Sequence, residues 1–412
     1  MAGVTFPPFP DGAPARAVVD LDAVTDNVRA LRGHAPSSAL MAVVKADGYG
    51  HGMLPVARAA LAGGATWLGV ATAEEALALR AGLGGVDARV LVWLLAPGAP
   101  FADLVRADVD VTVAAPWALE EAVAGARAAG RTARVQLKVD TGLSRGGVTM
   151  GDLPGVLRRA AAAEASGELR VVGVFSHLAC ADEPGHPSIA RQAAAFDAAL
   201  GLVEGAGLRP EVRHLANSAA TLTRPDLHHD LVRTGISMYG MAPGPLLGAP
   251  GEHGLRPVMT FQARLANVKQ VAAGEGVSYG HLYTTAQDTT VGLVPVGYGD
   301  GVPRHGSGGS AGPGGPVAVG TGTDARVLRV AGRVCMDQLV LDLGPGAAER
   351  AGDVVTLFGS SDGVAHGATV PNAQDWADAA GTISYEIVTR LGTRVPRVYL
   401  GDHRPTEGEA QP

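Results

Sequence analysis

The segment LMAVVKADGYGHG, residues 40–52, joins an apolar run to a lysine and a glycine-rich stretch. Its first part, LMAVVK (40–45), is short and largely apolar, which predicts a buried β-strand that ends at Lys45. Seven similar runs follow, separated by Ala-rich helical stretches: TWLGVA (66–71), RVLVWL (89–94), VDVTV (109–113), ARVQLKV (133–139), RVVGVFSH (170–177), VRHLANS (212–218) and LVRTGI (231–236). Eight parallel strands alternating with helices predict an α/β fold, the (β/α)8 TIM barrel, which typically needs about 250 residues.

The composition and the hydrophobic pattern of the sequence change on either side of these runs. We assign residues 18–250 to the barrel and residues 1–17, which are rich in proline, to an N-terminal arm. Alternating strands with Gly-rich turns then predict a smaller, mostly antiparallel β domain over residues 251–400, followed by a C-terminal tail, residues 401–412. The Gly/Ser/Pro-rich insert 306–316 is predicted to be a flexible loop. Thr72 and Glu75 form a capping box, a structural signal for a helix start.

The composition favours a soluble protein of the cytoplasm. Although 47 % of the 412 residues are apolar, no stretch reaches the roughly 18 uninterrupted apolar residues of a membrane span. The N-terminus lacks the charged and then apolar pattern of a secretion signal. Two cysteines, Cys180 and Cys335, fit a reducing compartment and show no metal-ligand spacing. A net charge of −7 without a basic stripe argues against nucleic-acid binding. We therefore expect no membrane, nucleic-acid or metal partner.

Polar residues stand where the predicted barrel strands end, and the active site of such a barrel lies at the carboxyl ends of its strands. These residues are Lys45, Lys138, Asp140, His177, Asn217, Ser218 and Arg233, the last followed by Thr234 and Gly235. Singly, each reads most simply as a loop residue that caps a backbone group. Five strands converge on one face, however, and this convergence favours a binding site.

Lys45 is suited to bind a carbonyl compound. A lysine at a barrel mouth is partly desolvated, so its pKa falls and its neutral amine can form a Schiff base. An arginine and a histidine opposite it, with the backbone amides of VRTGI, suit a planar phosphorylated ring such as pyridoxal phosphate. A sugar-phosphate aldolase of the same fold also uses a barrel lysine and satisfies the same residues.

Motifs along nearly all of residues 18–400 resemble the alanine racemases, which are pyridoxal-phosphate enzymes of fold type III. VVKADGYGHG resembles the family's cofactor-lysine motif, and LKVDTGLSRGG (137–147) resembles its segment with an often carbamylated lysine and a substrate-orienting arginine. The histidine, Asn-Ser and cofactor-arginine segments have counterparts in FSHLACADEPG (175–185), HLANSAA (214–220) and LVRTGISMYG (231–240). Further motifs follow in the family's order: GEGVSYG (274–280), VGYGDG (296–301), GRVCMDQ (332–338) and GTISYEIVTRL (381–391).

The resemblance implies a racemase with two catalytic bases. It makes Lys45 the cofactor-bound base on one face of the substrate and Tyr279 the base on the other. Two bases are needed because one fixed side chain cannot easily remove a proton from one face and return it to the opposite face. In the family the tyrosine comes from the β domain of the partner subunit, which implies a homodimer with shared active sites. His177 and Arg233 are the implied neighbours of the tyrosine, and Arg233 is the implied partner of the pyridine nitrogen.

The resemblance also assigns the ligands of the cofactor and the substrate. The implied cofactor-binding residues are Lys45, Tyr49, His177, Asn217, Ser218, Arg233, Gly235, Ile236 and Tyr385, of which Tyr49, Ser218, Gly235, Ile236 and Tyr385 hold the phosphate. The implied substrate-binding groups are Arg145, the backbone amide of Met336, Lys138 as a carbamate that steadies Arg145, Tyr298 at the entry and Asp337 at its border. Leu143 and Ser144 precede Arg145 where the family often has Met-Gly, a departure that concerns the shape of the loop and not the arginine.

The predicted function is therefore the interconversion of L- and D-alanine, which supplies D-alanine for cell-wall peptidoglycan. A related racemase of serine, or one of broader specificity, is an alternative that the pocket residues do not separate. A non-catalytic pyridoxal-phosphate-binding barrel protein is a second alternative, disfavoured because such proteins lack the domain that carries Tyr279. Barrel-fold decarboxylases of basic amino acids are also disfavoured, because their glycine-rich phosphate loop is not found in the sequence.

Overall fold

A computed structural model describes residues 6–320, 325–360 and 370–401. The chain divides into two compact units, which we call the barrel unit (Ala23–Gly48 and Met53–Arg256) and the β unit (Met1–Asp22, Tyr49–Gly52 and Pro257–Pro412). The predicted C-terminal tail, residues 401–412, lies outside the described residues from residue 402 onward, as do the first five residues of the predicted arm.

The barrel unit is built on eight parallel strands, and this prediction is confirmed. The first strand of the chain, β1 (Ala15–Asp20), belongs to the β unit. The barrel strands are β2 (Ala39–Val43), β3 (Trp67–Val70), β4 (Arg89–Val92), β5 (Val109–Val113), β6 (Ala133–Lys138), β7 (Leu169–Phe175), β8 (Val212–His214) and β9 (Leu231–Thr234). They pair in the order β8-β7-β6-β5-β4-β3-β2-β9. The amides of Asp230 and Arg233 donate to the carbonyls of Arg213 and Ala216, at 3.1 and 3.0 Å, and so bring β9 back to the β8 segment.

Helices connect the barrel strands. Their bounds are α1 (Leu21–His34), α2 (Lys45–Gly50), α3 (Met53–Ala62), α4 (Ala73–Leu83), α5 (Phe101–Arg106), α6 (Pro116–Ala129), α7 (Leu153–Ala165), α8 (Ser188–Gly205) and α9 (Ser218–Thr223). The predicted capping box opens α4, where the Thr72 hydroxyl accepts from the Glu75 amide. The same helix ends at Gly84, whose φ of 57° is a left-handed conformation that glycine adopts without steric cost.

Large apolar side chains from five of the barrel strands fill part of the barrel interior. Met41, Trp67, Leu91, Phe175 and Leu231 form one buried cluster, with Ala39, Trp93 and Val212 packed against it. Side chains alternate across a strand, so every second residue points inward. Because all these strands pair in parallel, their carboxyl ends lie at one mouth of the barrel.

The β unit contains two sheets of more than two strands. Its strands are β10 (Met259–Arg264), β11 (Asn267–Val271), β12 (Gly276–Val277), β13 (Tyr283–Thr284), β14 (Thr289–Val294), β15 (Gly308–Gly309), β16 (Gly312–Pro313), β17 (Pro316–Val319), β18 (Arg326–Arg329), β19 (Leu339–Gly344), β20 (Val354–Phe358) and β21 (Arg397–Leu400). One sheet has the order β18-β17-β20-β10-β1-β21, and the other has the order β11-β14-β19. Only β1 and β21 pair in parallel among the described strands of this unit, which confirms the predicted antiparallel character. Helices α10 (Ala373–Ala380) and α11 (Ser384–Thr389) complete it.

The prediction of a flexible loop at residues 306–316 is wrong. Strands β15 and β16 pair there as a short antiparallel hairpin. The amide of Ser310 donates to the carbonyl of Leu282 at 2.8 Å, and a Cβ at Gly315 would collide with the ring of Trp376. The glycines therefore allow close packing of an ordered hairpin, which composition alone does not distinguish from a linker.

Candidate active site

A left-handed turn follows the first barrel strand. Five consecutive residues of α2 have positive φ: Ala46 (52°), Asp47 (51°), Gly48 (60°), Tyr49 (53°) and Gly50 (79°). A non-glycine residue pays about 1–2 kcal/mol in this conformation, because its Cβ crowds the following carbonyl. Such a run of strained residues persists only where the surroundings hold it. It begins directly after Lys45.

Side-chain carboxylates hold this turn. An oxygen of Glu75 accepts from the amide of Ala46 at 2.6 Å, and the carboxylate of Asp47 accepts from the amide of Met53 at 2.8 Å. The second Glu75 oxygen accepts from the amides of Ala71 and Thr72, at 2.8 and 3.2 Å. Glu75 thus caps α4 and also anchors the residue after Lys45. The sequence predicted the first role only.

Lys45 and Lys138 lie in a cluster of cations at the barrel mouth. Burial lowers the pKa of Lys45, and the charge of Arg145 lowers it further, while Glu75 opposes both effects. The pKa of Lys138 falls to about 8, first through burial and then through Arg145 and Arg233. The Lys45 ammonium lies 5.9 Å from the ring centroid of Trp93, and that of Lys138 lies 6.0 Å from Phe175. Both amines therefore release a proton more readily than an exposed lysine does.

Lysine is rare in this chain, which makes its placement informative. The sequence contains three lysines, Lys45, Lys138 and Lys269, among 33 basic residues. Two of the three occupy the mouth, and Lys269 is an exposed residue of β11. Arginine supplies the other surface cations. An amine that can lose its proton is thus found where chemistry on a carbonyl would need one.

Arg233 is buried at the end of β9 and donates hydrogen bonds to several backbone carbonyls. One terminal nitrogen donates to the carbonyl of His214 at 3.0 Å, and the other donates to the carbonyls of Ser176 and Leu215 at 2.8 and 3.1 Å. Burial lowers the pKa of Arg233 to about 10. The guanidinium remains charged at neutral pH, and its orientation is fixed by the backbone of three neighbouring residues.

His177 lies beside this guanidinium as a neutral acceptor. Its Nδ1 lies 3.3 Å from the second terminal nitrogen of Arg233. Burial, followed by the charges of Arg233 and Arg145, lowers the pKa of His177 to about 3. The guanidinium has no acceptor atom, so the Nδ1 lone pair receives its hydrogen bond. The structure thus brings the two predicted residues together.

A carboxylate shapes the loop that carries Arg145. Asp140 accepts from the amides of Gly142 and Ser144, at 3.0 and 3.1 Å. Ser144 has a φ of 58°, the left-handed region that glycine favours. Gly147, with a φ of 137°, lies so close to Asp140 that an added Cβ would come within 2.6 Å of its amide nitrogen. Arg145 is exposed at the tip, and its charge acts on Lys45, Lys138 and His177.

The ends of β8 and β9 form a polar corner. Ser218 is buried, and its hydroxyl accepts from the amide of Gly235 at 2.9 Å. The Asn217 side chain accepts from the amide of Ala220 at 3.1 Å and so caps α9. Ile236 begins a buried 3-10 turn, Ile236–Tyr239. Hydroxyl and backbone groups that converge at the start of short helical segments are suited to bind an anion.

Tyr49 and Tyr385 meet within the β unit. Their ring centroids lie 6.3 Å apart with an interplanar angle of 43°. Tyr49 is buried, and desolvation raises its pKa far above the usual value, so the phenol keeps its proton. The guanidinium of Arg397 donates to the carbonyl of Gly50 at 2.9 Å and fixes the neighbouring backbone. These two tyrosines are far apart in sequence but are neighbours in the structure. Both are predicted to bind the cofactor phosphate.

Tyr279 projects from a second strained turn in the β unit. Its side chain is 73 % exposed. The preceding Ser278 has a φ of 64°, and its hydroxyl donates to the carbonyl of Arg333 at 3.0 Å. Arg333 in turn donates to the carbonyl of Tyr279 at 3.0 Å. The backbone under the tyrosine is therefore fixed although its ring faces solvent.

The turn that carries Met336 and Asp337 is held by a bridging arginine. Arg394 donates to Asp300 at 2.9 Å and to Asp337 at 2.8 Å. The amides of Tyr298 and Gly299 donate to the carbonyls of Cys335 and Met336, at 3.0 and 2.8 Å, and a Cβ at Gly297 would collide with this turn. Met336 is 54 % exposed. Tyr298, Met336 and Asp337 thus share one surface of the β unit.

Sequence reasoning missed several residues that support the site. They are Glu75, Asp110, Gln136, Gln192, His214 and Arg394. Gln192 donates to the carbonyl of His177 at 2.9 Å and accepts from the amide of Ala179 at 2.8 Å, which fixes the segment after β7. Asp110 and Gln136 interrupt apolar strands at inward positions, and that interruption is the signal that could have identified them.

Residues 6–320, 325–360 and 370–401 contain neither a metal-binding cluster nor a membrane-spanning helix. No group of three or more His, Cys, Asp or Glu side chains in this part of the chain could hold a metal ion. Among the same residues, no helix has both the length and the apolar character needed to cross a bilayer.

Comparison with known proteins identifies relatives across both units. The family models "Alanine racemase, N-terminal domain" and "Alanine racemase, C-terminal domain" match residues 19–243 and 258–399. A curated alanine racemase from Streptomyces coelicolor is 58 % identical over 391 residues, covering 94 % of this chain and 96 % of the relative. A solved alanine racemase from Streptomyces coelicolor A3(2) has a TM-score of 0.90 at 57 % identity, with coverage of 94 % and 98 % of the two chains. The enzyme from D-cycloserine producing Streptomyces lavendulae gives 0.89 at 53 %, with coverage of 95 % and 98 %.

Proposed function

The chain belongs to the alanine racemase family, and from this premise we propose that it interconverts L- and D-alanine with pyridoxal 5'-phosphate bound at the barrel mouth. In this proposal Lys45 and Tyr279 exchange the α-proton on opposite faces of the substrate. The D-alanine formed supplies cell-wall peptidoglycan, and the enzyme acts in the cytoplasm. The cluster of Lys45, Lys138, Arg145 and Arg233 at the strand ends is the observation that carries the proposal.

Four cations at one mouth call for anionic ligands. Burial is the first cause of the lowered pKa values of Lys45 and Lys138, and the neighbouring positive charges lower them further, so the ammonium forms are destabilised at this mouth. A phosphate and a carboxylate offset this destabilisation. The combination of a carbonyl-reactive amine with sites for both anions fits a phosphorylated aldehyde cofactor and an amino-acid substrate.

The residues at the mouth fit pyridoxal phosphate. Lys45 provides the amine, and the charged guanidinium of Arg233 provides a donor for the pyridine nitrogen. Ser218 with the backbone of Gly235 and Ile236 would bind phosphate, and Asn217 shapes this corner by capping α9. The family motifs propose the hydroxyls of Tyr49 and Tyr385, which are neighbours in the β unit, as further phosphate ligands. When bound, the cofactor withdraws electrons from the substrate α-carbon and makes its proton removable.

The chain itself moves the proton. Because burial lowers the pKa of Lys45, its neutral form is accessible as a base. Neutral His177 and the Arg233 guanidinium form the pair that would meet Tyr279 and favour its ionised form. Tyr279 is exposed in its own chain, which suits a residue supplied to the active site of a partner subunit in a homodimer.

The substrate carboxylate would be bound by Arg145 and the backbone amide of Met336. Lys138 reacts with carbon dioxide only as the neutral amine, and a pKa of about 8 makes that form available near neutral pH. The carbamate formed would attract Arg145 and hold it in place. Tyr298 and Asp337 would then form the entry above the substrate.

Reductive trapping tests the proposal, because the chain has so few amines. Holoenzyme is treated with borohydride and digested, and the modified peptide is identified by mass spectrometry. We expect the cofactor on Lys45, loss of the adduct and of alanine racemisation in Lys45→Ala, and neither change in Lys269→Ala, the matched exposed lysine. An adduct at Lys138 or at no lysine, or racemisation that survives Lys45→Ala, would contradict it.

A panel of amino acids separates the proposed substrate from its alternative. Activity on alanine well above that on serine supports the proposal, and equal activity on both supports a racemase of broader specificity. Cofactor binding without racemisation of any amino acid would indicate the non-catalytic binding protein. A deletion strain that grows only with added D-alanine would support the role in cell-wall synthesis.

A further inference from the structure

A chain of hydrogen-bonded side chains crosses the inside of the barrel. It runs from Arg134 near the start of β6 to Arg233 at the mouth, with the following links: Arg134 Nε to Asp110 Oδ1 at 2.7 Å, Gln136 Nε2 to Asp110 Oδ2 at 2.9 Å, His214 Nε2 to Gln136 Oε1 at 2.7 Å, and Arg233 Nη1 to His214 Nδ1 at 3.1 Å. Asp110, Gln136 and His214 are completely buried. Barrel interiors are normally filled by apolar layers, so a fully connected polar chain there has an unusual cost and a defined geometry.

The direction of these hydrogen bonds is set at the Asp110 end. Both carboxylate oxygens of Asp110 accept, one from Arg134 and one from Gln136. A carboxylate cannot donate, so the Gln136 amide must turn its NH2 group toward Asp110 and its oxygen toward His214. An amide oxygen only accepts. The proton of the His214 imidazole therefore resides on Nε2.

The other end imposes the same tautomer. The Arg233 guanidinium only donates, so the Nδ1 atom of His214 must carry a lone pair. Burial, followed by the charges of Arg233 and His229, lowers the pKa of His214 well below its usual value. The ring is thus neutral with a single proton on Nε2. It stacks on Phe175, with centroids 4.8 Å apart and planes at 10°, and so cannot turn freely.

A glycine opens the path for the central link. Gln136 lies opposite Gly173 in the register of β6 with β7, and its side chain passes over this residue to reach His214 in β8. A Cβ at Gly173 would come within 2.7 Å of Gln136 Oε1. The link thus depends on the missing side chain of its neighbour.

We propose that Gln136, oriented by Asp110, is a positioning residue that holds His214 in its Nε2–H tautomer and thereby fixes the Arg233 guanidinium at the barrel mouth. Without that tautomer, Nδ1–H of His214 would face a cation, and the guanidinium would lose the shorter of its two side-chain hydrogen bonds and keep that to His177. The effect on racemisation rests on the proposed function, whereas the tautomer of His214 does not.

The tautomer can be read directly. Holoenzyme labelled with 15N-histidine gives, by magic-angle-spinning NMR, separate shifts for protonated and unprotonated ring nitrogens, and the His214→Asn variant assigns the His214 pair among 12 histidines. We expect one unprotonated nitrogen, Nδ1, and one protonated nitrogen, Nε2. A wild-type His214 that carries its proton on Nδ1, or on both nitrogens, overturns the proposal even if no variant of Gln136 or Gly173 folds.

Two variants break the link in different ways. Gln136→Met keeps the volume and removes both polar atoms, whereas Gly173→Ala keeps every polar atom and displaces the amide. In each, we expect a mixture of His214 tautomers, an altered visible absorption band of the bound cofactor, and kcat lowered about 10- to 100-fold, the range seen when supporting partners of a ligand are removed. Thr112→Val is the matched control: Thr112 lies two residues from Asp110, and its buried hydroxyl has no hydrogen-bond partner among the described residues. It should leave all three readouts within twofold of wild type.

The outcomes separate positioning from simple packing. If Gln136→Met and Gly173→Ala lower the melting temperature but leave the His214 shifts, the absorption band and kcat unchanged, Gln136 is only structural and the proposal fails. If the wild type shows the expected tautomer but no racemisation, the proposed function fails and the assignment of Gln136 survives.

Discussion

The predicted site residues inside the barrel mouth and those on the exposed turns of the β unit are in opposite physical states. At the barrel mouth Lys45, Lys138, His177 and Arg233 are buried or half-buried, and their pKa values are strongly shifted. In the β unit Tyr279 and Met336 are 73 % and 54 % exposed. At the barrel mouth, burial and the mutual repulsion of neighbouring cations destabilise the charged side chains within one chain. At Tyr279 and Met336 the β unit holds the backbone in place and leaves the side chains exposed.

This difference indicates how function and stability are coupled in each unit. Removing a buried group at the mouth disturbs packing and charge together, so losses of activity and of stability come mixed. Removing an exposed group in the β unit leaves the fold almost unchanged. The β unit is therefore where catalytic roles can be measured in isolation.

The largest expected effect comes from Tyr279→Phe. We predict that alanine racemisation falls about 100- to 10,000-fold, the usual contribution of a positioned acid or base, while the free energy of unfolding changes by less than about 0.5 kcal/mol. Exchange of the α-proton in D2O, followed by NMR, should persist for the one enantiomer whose proton faces Lys45. Equal loss of exchange from both enantiomers would contradict the two-base arrangement.

The matched control for that experiment is Tyr283→Phe. Tyr283 lies four residues away, and its hydroxyl donates to Asp342 at 2.6 Å. Losing this hydrogen bond should cost about 1–2 kcal/mol of stability and leave racemisation intact. The two variants should therefore show opposite effects. Tyr279→Phe should lose activity and keep its stability, whereas Tyr283→Phe should lose stability and keep its activity.

Glu75→Gln should produce the next largest effect. It should change both catalytic activity and the free energy of unfolding. The carboxylate accepts from three amides, including that of Ala46 after Lys45. We expect a loss of about 1–3 kcal/mol of stability, because hydrogen bonds to a charged acceptor are lost and the strained turn is released. The pKa of Lys45 should fall further, because Glu75 raises it. The neighbouring exposed Glu74→Gln is the control in thermal unfolding and in the pH profile of kcat/KM. Similar behaviour of both variants would show that the turn is held by other contacts.

Some features of the fold and the site could be predicted from local sequence, and others depend on contacts between residues far apart in the chain. All eight barrel strands were predicted, because each is a short, largely apolar run separated from the next by an Ala-rich helical stretch. The hairpin at 308–313 was missed, because glycines chosen for close packing against Trp376 have the composition of a linker. Glu75 was assigned to helix capping alone, because its second partner, Ala46, lies 29 residues away in sequence and is brought near only by the pairing of β2 with β3. Motifs identify residues that touch ligands, and long-range partners need the fold.

A smaller effect is expected from Arg394→Met. Arg394 bridges Asp300 and Asp337 and so holds the turn with the Met336 amide, but its side chain is 51 % exposed. Asp337 is exposed, so its pair with Arg394 adds little stability. Asp300 is buried but still accepts from the Gly297 amide, so the loss of stability should be modest. A looser turn should raise KM for alanine about 10-fold through poorer alignment of the substrate carboxylate. Arg390→Met removes a similar exposed pair, that with Glu386, and serves as the control in steady-state kinetics. An unchanged KM would show that Arg394 does not position the turn.

The smallest effect is expected for Lys138. It tests whether the charged form of this lysine destabilises the folded protein at the barrel mouth. The folded pKa of Lys138 is about 8, below the unfolded value of 10.5. Between these values the unfolded chain binds more protons than the folded one, so the free energy of unfolding should rise with pH across this window. Lys138→Gln should lack that part of the rise in denaturant titrations of cofactor-free protein. Added bicarbonate should raise the melting temperature of the wild type near pH 8, because a carbamate replaces a cation among cations, and should not affect the variant. Parallel pH curves for both proteins, with no response to bicarbonate, would mean that the cluster stores no strain at Lys138. The contrast between the two units would then rest on exposure alone.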